Sequence, residues 1–380
     1  MFKKSFKIFS GSAALFVALY AAVFMCFYAA LPCNISAEKN AEFSGSFSAA
    51  TLKQSGGGCA YFLGNVPIKR ADISYQNRPR VVLGGMPFGI KIRSDGVMVI
   101  SVEEKSPARK AGIKSGDVIV RVNGREVSTN SEIADAVQLS ASRTDVILRR
   151  NDSEMSLSFA PENDFGTLKI GAWVRDSAAG IGTLTFWEPE SGVFGGLGHS
   201  VSDVTTGGVV PLKEGEITAA RIYDVVRGRE GSAGELCGVI LPESDMGVIT
   251  ENTSTGIYGT LSCGIAGETV PAAFRQEVQT GAATILTTLD GCEPEEYSIE
   301  IERINLLDLN GSKAMVIRIT DSGLLEKTGG IVRGMSGSPI IQNGRFVGAV
   351  THVLVNDPTR GYAVFAETML ESCSGDLLAA

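Results

Sequence analysis

Gly334-Met335-Ser336-Gly337-Ser338-Pro339 runs directly into Ile340-Ile341-Gln342, an Asn343-Gly344 pair and Arg345 to Thr351. Asn-Gly between two apolar runs is a strong short-range hairpin signal, because both residues accept the positive φ of a tight turn. The stretch therefore predicts a serine held in a glycine turn at the entrance to a β-hairpin. Small neighbours let the backbone turn sharply and aim exposed amides at a developing oxyanion. Gly334 and Ser336 are the expected donors. Serine is a weak nucleophile at its own pKa and needs a base within hydrogen-bond reach. The chain has only two histidines, His199 and His352. His199 stands in Gly195-Gly196-Leu197-Gly198-His199-Ser200, another glycine-rich turn. Ser336 and His199 are thus the candidate nucleophile and general base. His352 falls on the strand after the hairpin, on the face of Phe346 and Val350, and reads as a buried or cleft-lining residue. Ser338, directly before a proline, is the weaker candidate nucleophile.

The surrounding sequence is mainly β. Many glycines (45) and few aromatics (7%) fit short strands joined by tight turns. Gly182 to Trp187 leads toward the histidine turn. Tyr297-Ser298-Ile299-Glu300-Ile301-Glu302 alternates as a half-buried strand should, and Met315 to Thr320 alternates too, delivering Asp321. An imidazole acting as base is usually oriented by a third group. Composition leaves Asp203, Asp224, Asp245, Asp290, Asp308 and Asp321 all open for that role.

From about 80 to 160 the pattern changes. Val97 to Val102 and Val118 to Val122 read as strands, the second ending in an Asn123-Gly124 turn. Ser131 to Leu139 is helical in character, with Ile133 and Val137 on one face. The intervening Ser106-Pro107-Ala108-Arg109-Lys110-Ala111-Gly112-Ile113-Lys114-Ser115-Gly116-Asp117 completes a segment that is very similar to the core of PDZ domains. That resemblance implies a peptide-binding loop at Pro87, Phe88, Gly89 and Ile90, with backbone amides facing a chain terminus and a strand edge accepting an extended peptide. The loop departs from the usual Gly-Leu-Gly-Phe form.

At the N-terminus, Lys3, Lys4 and Lys7 precede a run from Ile8 to Ala37 without a charged residue. Its apolar core, about Ala13 to Leu31, approaches the roughly 20 residues a helix needs to cross a bilayer. It reads as a signal anchor, with a signal peptide cleaved near Ala29 and Ala30 as the alternative, and in both cases everything after it is exported. Residues 38–77, with Ser55-Gly56-Gly57-Gly58, read as a flexible tether. Cys33, Cys59, Cys237, Cys263, Cys292 and Cys373 would then face a compartment that permits disulfides. No CxxC spacing, HExxH or Walker A string occurs, so neither a metal nor a cofactor is expected. A net charge of −8 without blocks of like charge argues against nucleic acid.

The order of basic anchor, PDZ-like module, "GIGTLTFWEPESGVFGGLGHSVSD" and "ITDSGLLEKTGGIVRGMSGSPIIQNGRFVGAVTHVLVNDPTRGYAVF" resembles the SpoIVB peptidases (stage IV sporulation protein B), a PDZ-containing trypsin-like serine peptidase family. The resemblance implies four regions: residues 1–37 as basic flank and transmembrane segment, 38–77 as tether, 78–162 as PDZ domain and 163–380 as a trypsin-like double β-barrel. It also implies a catalytic triad of His199, Asp321 and Ser336, although an acid fifteen residues before the nucleophile departs from the usual trypsin placement. Asp203 is the second choice for that acid. Gly330 falls near the expected base of a specificity pocket and suggests an unobstructed one. The implied activity is that of an exported, self-cleaving endopeptidase of sporulation signalling, acting between the forespore and mother-cell membranes. There it would cut a membrane-protein regulator and so release an intramembrane protease that activates a sigma factor. The alternative is a membrane-anchored PDZ adaptor whose protease-like domain only binds.

Overall fold

A computed structural model describes residues 17–373 apart from 27, 30, 32–33, 40–44, 48–49, 55–57, 63–65, 141, 152, 306–307 and 309–310. Twelve strands, β1 to β12, build two barrels. In the first, β1 (Pro87–Val102), β2 (Ala172–Trp187), β3 (Val193–Gly196), β4 (Leu212–Val226), β5 (Glu235–Thr253) and β6 (Gly256–Leu261) pair in the order β1-β4-β5-β6-β3-β2. Antiparallel pairing of β1 with β2 closes the ring. The second barrel closes in the order β7-β8-β9-β12-β11-β10, from β7 (Gly281–Thr287), β8 (Glu295–Ile304), β9 (Met315–Ile319), β10 (Pro339–Gln342), β11 (Arg345–Val353) and β12 (Arg360–Phe365).

Alternation in the sequence sets the core of the second barrel. Tyr297, Ile299 and Ile301 of β8 point inward with Ile317 and Ile319 of β9, Ile340 of β10 and Val350 of β11. Each such fully buried aliphatic side chain contributes roughly 1.5–3 kcal/mol. The outward Glu300 and Glu302 pair across strands with Arg318 and Arg360. The hairpin predicted at Asn343-Gly344 forms between β10 and β11, with both residues at positive φ (52° and 72°). The first barrel buries Phe88, Ile90, Ile92, Leu184, Phe194 and Ile217. Phe186 of one barrel meets Phe346 of the other at 5.7 Å between ring centroids, so the two are packed together and not merely linked.

The PDZ core is separate, built on Val97, Val99, Ile113, Ile119, Ile133, Val137, Val146 and Leu148. The helix Pro107–Ala111 starts where the sequence places a cap and a proline, Ser106 accepting from the Arg109 amide at 3.1 Å, and ends at Gly112. The helix Asn130–Gln138 opens with a Thr129–Glu132 capping box and buries Ile133 and Val137 on one face. Asp117, almost wholly buried, takes both bonds of the Arg150 guanidinium fork at 2.6 and 2.7 Å. This module is joined to the first barrel by more than a linker, since β1 and β2 run through both.

The expected N-terminal tether is corrected, and the expected transmembrane segment falls partly outside the described residues. No described helix is long and apolar enough to cross a membrane. The apolar core of that expected anchor runs from about Ala13 to Leu31, and the described residues begin at 17. The expected tether at 38–77 is largely strand. Val66–Gln76 pairs in parallel with Asn34–Glu38 and antiparallel with Gly58–Phe62. Tertiary packing overrides the glycine- and serine-rich composition there. Leu31, Ile35 and Ile68 are buried with the core of the second barrel, and Arg78 bridges Glu38 and Glu277 at 2.9 and 2.7 Å. Cys26, Cys237, Cys263 and Cys292 are free thiols.

Candidate active site

β3 is followed by Leu197 and Gly198, both in the left-handed region (φ 67° and 69°). That conformation is uncommon for a leucine and is held by its surroundings. The Leu197 amide donates to the Thr183 carbonyl at 3.3 Å and the Gly198 amide to the Gly196 carbonyl at 2.8 Å. The turn presses so closely on the second barrel that a Cβ on Gly198 would lie 2.9 Å from Thr351 Cγ2. His199 follows, half-buried, with Nδ1 2.8 Å from the Ser200 carbonyl oxygen. A carbonyl only accepts, so Nδ1 carries the hydrogen and Nε2 is left with its lone pair. Burial pushes the imidazole below its ordinary pKa, and the Ser200 carbonyl opposes that only in part. The chain beyond is pinned by Asn252, which accepts from the Val201 amide at 2.8 Å and donates to the Val201 and Val210 carbonyls.

From the other barrel comes the serine turn. Gly334 and Gly337 both have φ of 97°. A Cβ at Gly337 would collide with the Thr183 carbonyl oxygen and lie 2.6 Å from the Leu197 nitrogen, so only glycine lets the two turns meet. The Gly337 amide donates to the Val350 carbonyl at 2.7 Å, and the Ser336 hydroxyl donates to the Thr351 carbonyl at 2.6 Å. Among the described residues neither the Gly334 nor the Ser336 amide has a protein acceptor, the condition an oxyanion site requires. Ser338 is fully buried, its hydroxyl unpaired among the described residues, which removes it as a nucleophile.

The sequence-predicted residues therefore sort clearly. Ser336 and His199 are brought to the same stretch of β11, Val350 to His352, although no hydrogen bond yet joins them. The His352 ring lies against the His199 ring, centroids 4.8 Å apart. His352 was expected on the inward face of Phe346 and Val350. A β-bulge between Val350 and Val353 breaks the alternation and leaves it exposed. Desolvation against its neighbour, then the His199 charge and Lys313, push its pKa down to about 4.

Asp321 is not brought to the imidazole. Its carboxylate caps the helix Ser322–Thr328, accepting from the Leu324 amide at 2.9 Å, and its own amide donates to the Ser298 carbonyl. Thr351 bonds to Ser312, just before β9, whereas Asp321 follows the far end of that five-residue strand, about 17 Å along. Asp203 is also engaged elsewhere. It pairs with Arg175 and accepts from the Thr205 and Thr206 amides at 2.9 and 2.8 Å. Burial raises its pKa, but those amides and Arg175 outweigh it and hold the carboxyl below its usual value. Neither acid bonds to a histidine. A side chain at Gly330 would meet the Pro358 carbonyl.

The expected peptide-binding loop is likewise corrected. Pro87, Phe88, Gly89 and Ile90 pair with Gly180–Thr183 of β2 on one edge, and Phe88, Gly89 and Ile90 pair with Ile217–Ala219 of β4 on the other. Phe88 and Ile90 are buried in the first barrel. Both strand edges are occupied, so the segment has been taken into the barrel sheet.

Such a pairing of barrels, with an attached PDZ module, defines the class as a PDZ-containing serine peptidase. The family model for the SpoIVB peptidase S55 matches residues 166–370, more than half of the chain, and the chain belongs to that family. A PDZ domain model matches residues 84–158. Human serine protease HTRA3 is 41% identical over 69 residues, which are 18% of this chain and 15% of that protein. The mitochondrial serine protease HTRA2 of Drosophila ananassae is 28% identical over 116 residues, 28% of this chain and 26% of that protein. The chain thus spans a small part of the length of these relatives. Among solved structures, the active form of the Rv3671c protease from M. tuberculosis aligns with a TM-score of 0.29 and 16% identity, covering 51% of this chain and 72% of that one. The second domain of the listeria protein Lin2157 aligns with a TM-score of 0.20 and 28% identity, covering 22% and 85%.

Proposed function

We propose that Ser336 is the nucleophile and His199 the base of an endopeptidase reaction, with the Ser200 carbonyl orienting the imidazole where an acid would otherwise stand. The carrying observation is that turns from different barrels converge on Val350–His352. Rotation of the Ser336 hydroxyl away from the Thr351 carbonyl, a picosecond-to-nanosecond side-chain motion, offers its proton to His199 Nε2. Oγ then bonds to the scissile carbonyl carbon, and the oxyanion accepts from the Gly334 and Ser336 amides. The imidazolium returns the proton to the leaving amine, and water repeats the sequence to free the acyl group.

By family resemblance the substrates include the chain itself and a membrane-protein regulator in sporulation signalling, met outside the cytoplasm between the forespore and mother-cell membranes. The basic residues ahead of the uncharged N-terminal run favour export. The Ser336–Thr351 bond favours a second reading, a PDZ adaptor in which the serine is permanently parked. Expression of the full chain, followed over time on a gel, separates the two. The peptidase reading expects wild type to shorten itself while Ser336→Ala stays full length. Equal shortening of both, or no cleavage of any substrate, overturns it.

A further inference from the structure

Thr183 of β2 touches both halves of the site and was not singled out by the sequence. The residue is 2% exposed. The Thr183 hydroxyl donates to the Gly334 carbonyl at 2.6 Å, its amide donates to the Ser336 carbonyl at 3.2 Å, and its carbonyl accepts from the Leu197 amide at 3.3 Å. Two of these bonds draw back the carbonyls on the rear of the serine turn. These bonds fix the Gly334–Met335 and Ser336–Gly337 peptide units, which flank the Met335–Ser336 unit carrying the Ser336 amide, and with them the outward facing of that turn. The third bond ties the same residue to the left-handed Leu197 that precedes the histidine. We infer that Thr183 is a positioning residue for catalysis, holding the serine turn on both sides of the Ser336 amide and setting the histidine turn against it. The inference rests on the peptidase reading above.

The hydroxyl is the separable part, because a side-chain change leaves the two backbone bonds possible. Thr183→Val keeps the shape and removes the donor. Loosening a preorganised group by a fraction of an ångström to an ångström costs up to about a hundredfold. In the full chain, Thr183→Val is therefore expected to lower kcat by about that factor with KM little changed, while Thr183→Ser, which keeps the hydroxyl, restores most of the rate. A merely structural threonine would lower the folded fraction and spare the kcat of the molecules that remain folded, counted by thermal melting. If Thr183→Val does not fold, Thr183→Cys, with a weak donor at the same place, carries the test and is expected to give an intermediate loss in kcat. Wild-type kcat in the valine variant, or in the cysteine variant where that is the one used, or equal loss in the valine and serine variants, overturns the assignment. Ser336→Ala is run alongside. Residual wild-type cleavage there sinks the peptidase reading itself, whereas an inactive Ser336→Ala with an unaffected Thr183→Val sinks only the role of Thr183.

Discussion

The second barrel closes from consecutive stretches between Gly281 and Phe365, whereas the first closes only because β1 and β2, which also run through the PDZ module, pair with each other. The serine comes from the self-contained barrel, the histidine from the shared one. Non-local pairing of that kind costs loop-closure entropy before it is rewarded by burial. The serine turn can therefore be organised within its own barrel, but the site is complete only when a barrel shared with another domain is in place. Glycine 337 is where the two meet.

The sharpest way to break this contrast is Gly337→Ala. The added methyl collides with the Thr183 carbonyl at a φ that alanine avoids, so a loss of about 3 kcal/mol is expected. Thermal melting together with cleavage rate checks it. A variant as stable and active as wild type would mean that the barrels do not dock as described.

Asp321 gives a subtler test, on the serine side alone. Asparagine caps helices as well as aspartate, so Asp321→Asn is expected to keep stability and to stay far from the roughly 10⁴-fold fall in kcat that follows loss of a triad carboxylate. Asp321→Ala should cost about 1 kcal/mol through the lost cap. A fall of that size in the asparagine variant would place the carboxylate beside His199 after all.

The smallest expected effect is a pH dependence at the junction. His352 has a folded pKa of about 4, below the unfolded value of about 6.5. The unfolded chain binds the proton first, so stability is full above about pH 6.5 and falls as the pH drops toward 4. His199, lowered by burial, acts in the same direction. Melting across that range should show the slope, reduced in His352→Gln. An unchanged slope would remove the histidine pair as its cause.

These asymmetries also explain what the sequence revealed. In the second barrel the Asn343-Gly344 hairpin, the alternating Tyr297–Glu302 strand and the glycines about Ser336 are local signals, and each was legible. The helix read over Ser131 to Leu139 from Ile133 and Val137 was equally local, and it forms over Asn130–Gln138. What stayed hidden was non-local. Pro87–Ile90 matches a PDZ loop in sequence, yet its fate was decided by β4, more than a hundred residues away. Thr183 has no motif of its own and matters only through carbonyls at 334 and 336. The bulge that exposes His352 likewise depends on its pairing with β12, whereas the helix that claims Asp321 begins at the next residue and is a local cap.

The account turns on a neutral imidazole from one barrel activating a hydroxyl from the other. The direct measurement is the rate at which a fluorophosphonate labels the protein, followed against pH in wild type and His199→Gln, with the labelled residue located by mass spectrometry. Modification of Ser336 alone is predicted, along a single titration lying below the ordinary imidazole value of about 6.5 and lost in the variant. Labelling of a different serine, or an undiminished rate without His199, would contradict it.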